Sequence, residues 1–378
     1  MINKGAMNIG FDAKRIFHNA TGLGNYSRDT VRLLSALYPD HNYILYNPKP
    51  GRIRFEPSHE NTQIRYPDTS LHRTLSSYWR YRLMVPQLIK DRIDVYFGLS
   101  NEIPRGIENT GIHTMVTIHD LIFLRYPHFY RAIDRKIYRH KFLNACLNAD
   151  RIIAISEQTK HDIIQFFKIP EEKIKVVYQG CHEMYQREHD RRQHDLVRKN
   201  YDLPERFILN VGRIEERKNA LSIVQAIRPI PDIHLVIVGR KTPYAGKIES
   251  YLNQHGMEDR VHIFNSIPLS DLPAFYQMAD IFVYPSFFEG FGIPIIEALF
   301  SKTPVISSTG SCFSEAGGPD SKYVPPADVV ALGNSILELW ENAPLRSDMA
   351  DKGVLYASKF KDPVIAQELF ETIESLKG

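Results

Sequence analysis

The chain has 378 residues, 43% of them hydrophobic and 24% charged, with a formal net charge of +3. That length is enough for two domains with full cores and excludes a single small module, and the ordinary globular composition excludes a disordered or fibrous chain. No apolar run approaches the roughly 18 to 20 residues of a membrane-spanning helix, the start MINKGAMNIG lacks the apolar core of a secretory signal, and no helix carries the dense basic stripe of a nucleic-acid binder, so a cytoplasmic protein without nucleic acid as a partner is expected.

Taken in chain order, the first strand-like run is MNIGFDA, and the residues before Met7 read as an upstream start or an added leader. From there, short β-branched and aromatic-rich runs alternate with longer helical patterns, the rhythm of βαβ units and a mainly parallel sheet. Strands are predicted at MNIGFDA, YILYN, IDVYFG, TMVTIHD, RIIAIS and KVVYQG, and helices over 25–37, 133–148 and 157–167. The loop TGLGNYS precedes the first helix. Its Gly22 and Gly24 suit positive φ and the close approach of a phosphate to the helix N-terminus, although a tight turn without a ligand reads almost as well. No acidic residue ends a convincing second strand about 20 residues further on, so a nicotinamide cofactor would lack its ribose contact. Residues 71–92, LHRTLSSYWRYRLMVPQLIKDR, interleave Arg73, Arg80, Arg82, Lys90 and Arg92 with Tyr78, Trp79 and Tyr81. Such a segment suits an anionic membrane surface, or equally a solvated helix face with its aromatics in the core. In TIHD, His119 and Asp120 follow an apolar strand, where a histidine can bond a sugar hydroxyl; a structural role fits as well.

The rhythm restarts with FILNVGR, HLVIVGR, HIFNSI, IFVYPS and PVISS, separated by helical segments such as NALSIVQAI and SDLPAFYQMA. Two Rossmann-like units are therefore expected, residues 1–185 and 206–360, joined by a polar linker over 186–205. The closing stretch 361–378 reads as a helix that packs back on the N-terminal domain. Charge divides along the same line: residues 1–185 carry 26 Lys plus Arg against 18 Asp plus Glu, and residues 186–378 carry 21 against 26. Cys146, Cys181 and Cys312 match no metal-ligand or redox spacing and read as reduced thiols.

Ligands of open parallel sheets collect outside the carboxyl ends of the strands. In NVGRIEERKN, Gly212 ends a strand, and Arg213 and Lys218 supply two cations in one strand-to-helix connection, as a diphosphate requires; a surface basic cluster is the plain alternative. In FFEGFGIPIIEAL, Glu289 lies in a glycine-rich loop, Gly290 and Gly292 leave backbone amides open, Pro294 opens a helix, and Glu297 lies near its start. The two glutamates are about 12 Å apart if the span is helical, too far to act on one bond, so they suit two parts of one ligand.

Together these motifs resemble the retaining, nucleotide-sugar-dependent glycosyltransferases of the GT-B fold usually numbered family four, over nearly the whole chain. The resemblance implies an α/β architecture of two Rossmann-like domains with parallel sheets facing a central cleft, residues 1–185 for the acceptor and 206–360 for the nucleotide-sugar donor. It assigns the donor diphosphate to Arg213 and Lys218, with Gly22 and Gly24 approaching the phosphates, and the ribose to Glu297. The donor sugar falls to Glu289 with Gly290, Phe291, Gly292 and Ile293, and to His119 and Asp120; the base falls near Ile267 and Leu272. SEA at residues 314–316 resembles the family's post-strand turn. Neither cofactor nor metal is expected. The partners implied are a nucleotide-sugar donor, GDP-mannose first and UDP-glucose or UDP-galactose next, and a glycan or lipid-linked glycan acceptor in surface polysaccharide synthesis, with peripheral contact to the inner face of an anionic membrane. Gln179 and His182 replace the family's usual asparagine and aspartate at the interdomain connection. An epimerase or hydrolase acting on nucleotide sugars, or a non-catalytic nucleotide-sugar-binding subunit, are the alternatives on the same fold.

Overall fold

The computed structural model describes residues 5–57 and 59–377, so the first four residues of the stretch before Met7 lie outside the described residues. The chain divides into two compact units, one running through Gln179 and resuming at Asp362, the other Gly180–Lys361.

The first unit carries seven strands: β1 Asn8–Asp12, β2 Asn42–Tyr46, β3 Thr62–Arg65, β4 Val95–Gly98, β5 His113–Ile118, β6 Arg151–Ala154 and β7 Ile174–Val176. They form one parallel sheet in the order β3-β2-β1-β4-β5-β6-β7. Side chains alternate across it as a pleated sheet demands. Tyr43 and Leu45 join Ile9 and Phe11 in the core on one face, whereas Ile44 and Tyr46 join Tyr96 on the other. The terminal helix Asp362–Glu374 closes the first of these cores with Ile365, Leu369, Phe370 and Ile373. Phe370 stacks on Tyr38 at 3.7 Å, and Arg32 reaches Asp362 at 3.0 Å.

The second unit carries β8 Ile208–Val211, β9 Leu235–Val238, β10 Val261–Phe264, β11 Ile281–Tyr284, β12 Val305–Ser308 and β13 Lys322–Val324, again all parallel, in the order β10-β9-β8-β11-β12-β13. Central strands such as β9, β11 and β12 are buried throughout, because helices cover both faces of a parallel sheet. In each unit the strand order reverses once, between β1 and β4 and between β8 and β11. Ligands collect at such a reversal because the flanking connections leave to opposite faces and open a crevice.

Three local readings change. The segment 186–205 is not a bare linker: it contains the helix Arg191–Tyr201, opened by a capping box at Asp190 and Gln193, and it belongs to the second unit. Tyr201 bonds Asp271 at 2.6 Å and meets the Phe275 ring edge-on. Its polarity misled because Val197 is the helix's one buried residue, leaving little apolar stripe to read. The run 71–92 is broken into short helical turns, with Trp79 fully buried and Arg80 in a buried ion pair, while Leu71, Leu75 and Tyr78 are exposed. Lastly, the helix predicted over 25–37 starts at Gly22, so Gly24 lies inside it without positive φ. A Cβ at Gly24 would meet the Asn19 carbonyl oxygen at 1.7 Å, so close backbone packing by itself requires this glycine. A Cβ at Gly22 would meet nothing within 4 Å.

Candidate active site

At the reversal point of the second unit, the connection after β8 faces the loop after β11. The first supplies Arg213, Arg217 and Lys218; the second supplies Glu289. Lys218 and Glu289 are largely enclosed. The Lys218 ammonium lies 2.7 Å from Glu289 Oε1 and donates to the Tyr284 hydroxyl at 2.6 Å. Glu289 Oε2 lies 2.8 Å from Arg217 Nη1, and Arg217 also donates to the Phe288 carbonyl at 2.6 Å and to Glu215 at 2.9 Å. Burial pushes the Glu289 carboxyl up, but Arg217 and Lys218 outweigh it and hold the pKa at about 2. Burial, with Arg217 alongside, pulls Lys218 below its ordinary value against the attraction of Glu289. The result is a fixed carboxylate clamped by two cations, at a place where uncompensated burial would cost several kcal/mol.

The glycine-rich loop holds its shape through contacts that local sequence does not announce. The Ser311 hydroxyl donates to the Glu289 carbonyl at 3.1 Å, and the Cys312 thiol donates to the Phe291 carbonyl at 2.7 Å. Cys312 is buried under the loop, which gives this thiol a positioning role. Gly292 has φ +122°, a backbone conformation that L side chains rarely adopt, and it caps the helix Ile293–Phe300. Phe291 is buried and meets Phe360 edge-on, while Gly290 and Ile293 are partly exposed. Ile267 is half-buried in the connection after β10, and Leu272 is buried at the start of the helix Leu272–Met278.

Glu297 sits on the helix after the loop, and it is already occupied in part. Tyr276 donates to its Oε2 at 2.7 Å, and Tyr185 bonds it as well. Burial raises the carboxyl to about 7 despite both bonds. Each carboxylate oxygen has two lone pairs, so room remains for a ligand hydroxyl, but not for an unshared grip on two. Because the folded state keeps its proton up to about pH 7 and the unfolded chain releases it near 4.5, stability falls as pH rises through that window. Glu297→Gln is therefore expected to gain, relative to wild type, on the order of 2–3 kcal/mol between pH 5 and pH 8. Urea midpoints of both proteins at the two pH values measure it, and an unchanged difference contradicts the assignment.

Arg213, expected beside Lys218 on one diphosphate, takes a different environment: its side chain is 59% exposed and lies 3.4 Å from Glu215. The cation that shares Glu289 with Lys218 is Arg217, which the sequence reading missed. Its adjacency to Lys218 in ERKN was the one available signal.

In the first unit, His119 and Asp120 follow β5 directly. The His119 Nε2 donates to the Leu99 carbonyl at 2.9 Å, which leaves Nδ1 to accept from Gln179 at 3.2 Å. Burial drops this imidazole to about 4, so it is neutral. Both ring nitrogens thus have partners, and the expected bond from His119 to a sugar hydroxyl has no free nitrogen. The Leu99 carbonyl, which can only accept, fixes the tautomer, and Gln179, the departure from the family pattern, occupies the nitrogen that remains. Asp120 accepts from the Ile122 amide at 3.1 Å, opening the short helix Ile122–Arg125. Among the described residues, no group of three or more His, Cys, Asp or Glu side chains is placed to hold a metal ion, and no helix is long and apolar enough to cross a membrane.

These features have counterparts in known proteins. Residues 20–183 match the model of Glycosyltransferase Family 4, and residues 192–354 match that of Glycosyl transferases group 1. The chain is 26% identical over 373 residues to the O-antigen chain mannosyltransferase B of Escherichia coli, covering 94% of this chain and 96% of that protein. Among solved structures it is similar to sucrose-phosphate synthase from Thermosynechococcus elongatus (TM-score 0.78, 20% identity, 98% and 99% of the two chains). It is similar also to Anabaena HepE in complex with UDP and glucose (TM-score 0.76, 18% identity, 98% and 100%). The two parallel sheets are those of the GT-B fold, and with both halves of the chain matched, the protein belongs to the group 1, family four glycosyltransferases.

Proposed function

We propose that the protein is a retaining hexosyltransferase that moves mannose from GDP-mannose to a glycan or lipid-linked glycan in surface polysaccharide synthesis, working without a metal at the inner face of a membrane. The observation that carries this reading is the carboxylate of Glu289 clamped by Lys218 and Arg217 at the reversal point of the second sheet. Such a carboxylate cannot readily take a proton, which suits it to accept hydrogen bonds from donor-sugar hydroxyls. Lys218 has three N–H groups, two of them directed to Glu289 and Tyr284, so one remains for a phosphate oxygen. Arg213, exposed in the same connection, grips the diphosphate from solvent. These two cations supply the charge compensation that a metal would otherwise give. Gly290, Phe291, Gly292 and Ile293 offer backbone to the sugar, Glu297 meets the ribose, and the base lies against Ile267 and Leu272.

Transfer proceeds on one face of the sugar. The bond from the anomeric carbon to the phosphate oxygen breaks, the acceptor oxygen bonds that carbon from the same side, and the acceptor proton passes to the departing phosphate oxygen. Glu289 positions the sugar through hydrogen bonds and forms no covalent bond to it. Mass spectrometry during turnover is expected to find no glycosyl adduct on Glu289, and finding one overturns this mechanism.

Mannose as the sugar is supported by the full-length similarity to an O-antigen chain mannosyltransferase. A thermal-shift panel of nucleoside diphosphates tests the base. GDP at about 100 times its Kd is expected to stabilise the fold by about 2.7 kcal/mol. A response to UDP and none to GDP replaces the donor with a UDP-hexose, the reading favoured by the UDP complex of the similar HepE structure. Incubation with that donor and extracted glycolipids, read as added mass, then tests transfer.

A further inference from the structure

The first unit has its own reversal point, between β1 and β4, and a cavity of about 850 Å³ opens there. Its lining comes from the carboxyl ends of the strands: Lys14 and His18 follow β1, Pro48 and Lys49 follow β2, and Glu102 follows β4. The opposite wall is the run Ser76–Tyr81, together with Lys136, Ile137, His140 and Lys141 of the helix Ala132–Asn148.

Charge within this cavity is unbalanced. Arg80, buried at its base, donates to Asp12 at 2.9 Å and to Glu102 at 2.8 Å, and Lys141 lies 3.3 Å from Glu102. The two acids are thereby neutralised by two cations. Lys14, Lys49 and Lys136 remain, and among the described residues no carboxylate lies within ion-pair distance of any of them. Burial, with Arg80 nearby, draws Lys14 below its ordinary value against the weaker attraction of Glu102 and Asp12. Three unpaired ammonium groups converging on one crevice attract a multiply charged anion and bind it as point charges.

The rim is apolar. Tyr78 and Ile137 line the cavity while 48% and 45% exposed. Outside the lining, Leu75 and Ile133, three and four residues before them in the chain, are 45% and 62% exposed. A cationic base under an apolar rim is complementary to an amphiphile with a charged head, and neither a free sugar nor a bare phosphate uses both parts.

We propose that this cavity binds the diphosphate head of a lipid-linked acceptor, with Lys14, Lys49 and Lys136 on the phosphates and Tyr78 and Ile137 against the first carbons of the lipid. The assignment rests on the acceptor reading above. Its test measures binding without turnover, so that it fails or succeeds separately from hexose transfer.

The probe is farnesyl diphosphate below its micelle concentration, titrated into the intact protein by calorimetry with saturating GDP and UDP present to block the nucleotide site. Binding is expected to persist under that block and to weaken as salt is raised. The Lys14→Ala/Lys136→Ala double variant is expected to lose affinity by on the order of tenfold or more, about 1.4 kcal/mol per factor of ten. Ile137→Ser is expected to weaken farnesyl diphosphate while leaving inorganic pyrophosphate unaffected. Unchanged GDP or UDP binding by both variants shows that they fold. The proposal is overturned if farnesyl diphosphate does not bind under the block, or if the lysine variant binds it as wild type does. Equal affinity for inorganic pyrophosphate assigns the site to free phosphate and overturns the lipid part. Loss of binding to phosphatidylglycerol vesicles in the lysine variant, with farnesyl diphosphate still bound, moves these lysines to a bilayer surface and overturns it too.

Discussion

Lys218→Ala is expected to lower the turnover of glycosyl transfer by about 10²–10³-fold, the usual effect of removing one preorganised donor from developing negative charge. The ammonium is enclosed between Glu289 and Tyr284, so it needs no reorganisation when the diphosphate begins to leave. In the proposed mechanism its removal takes a single cation from both the leaving group and the Glu289 carboxylate. Lys218→Arg is not expected to restore activity, because a planar guanidinium does not fit where a point charge sits between two oxygens. In the proposed mechanism Arg217 acts through Glu289, as a positioning residue. With both cations present the carboxyl titrates near 2, so wild-type turnover should show no acid limb from this group above about pH 4. In Arg217→Ala the strongest force lowering that pKa is gone, and the acid limb should move up toward the ordinary carboxylate range. A merely structural loss would scale the profile without moving it. Near-wild-type turnover by Lys218→Ala contradicts the site.

Arg80→Met is expected to destabilise the first unit by about 3–5 kcal/mol, the cost of leaving a buried charge without its partner. Asp12 is 2% exposed at the end of β1, and Arg80 meets both of its oxygens at 2.9 Å. Urea unfolding followed by fluorescence measures the loss. The double variant Asp12→Asn/Arg80→Met should recover most of it, because both charges are then absent. The sign of the pH dependence follows from Asp12. Burial pushes its carboxyl up, but Arg80 overcomes this and holds it below the ordinary value. Its stabilisation is therefore complete above the unfolded value near 3.8 and is lost as pH falls further. Wild type and Arg80→Met should converge in stability at acid pH; a constant difference down to that range contradicts the pairing.

Much of the fold is legible in the order of the residues. The strand at Ile281–Tyr284 and the helix at Glu157–Phe167 announce themselves by unbroken apolar runs and by periodicity. The strands that escaped, Thr62–Arg65 and Lys322–Val324, lie at sheet edges, where one side needs no partner and TQIR or KYV suffices. Within the candidate site, Glu289, Glu297, Arg213 and Lys218 are visible as a spaced pattern. Arg217 and Cys312 are not, because an arginine beside a lysine and a lone cysteine carry no spacing signal. His119 was visible as a residue, but its employment was not: the bonds to Leu99 and Gln179 come from 20 and 60 residues away.

Local sequence thus determined that there are two parallel αβ units and that a glycine-rich loop and a cation-bearing connection follow particular strands. Those properties depend on neighbours a few residues apart, where periodicity and turn chemistry act. Only the tertiary structure decided which charges meet. Arg80 finds Asp12 across 68 residues because β1 lies beside β4 and the run after Ser76 folds over their ends. Arg217 finds Glu289 because β8 lies beside β11. In both units the strand order brings distant cations and acids to one crevice, and burial there turns ordinary side chains into fixed charges.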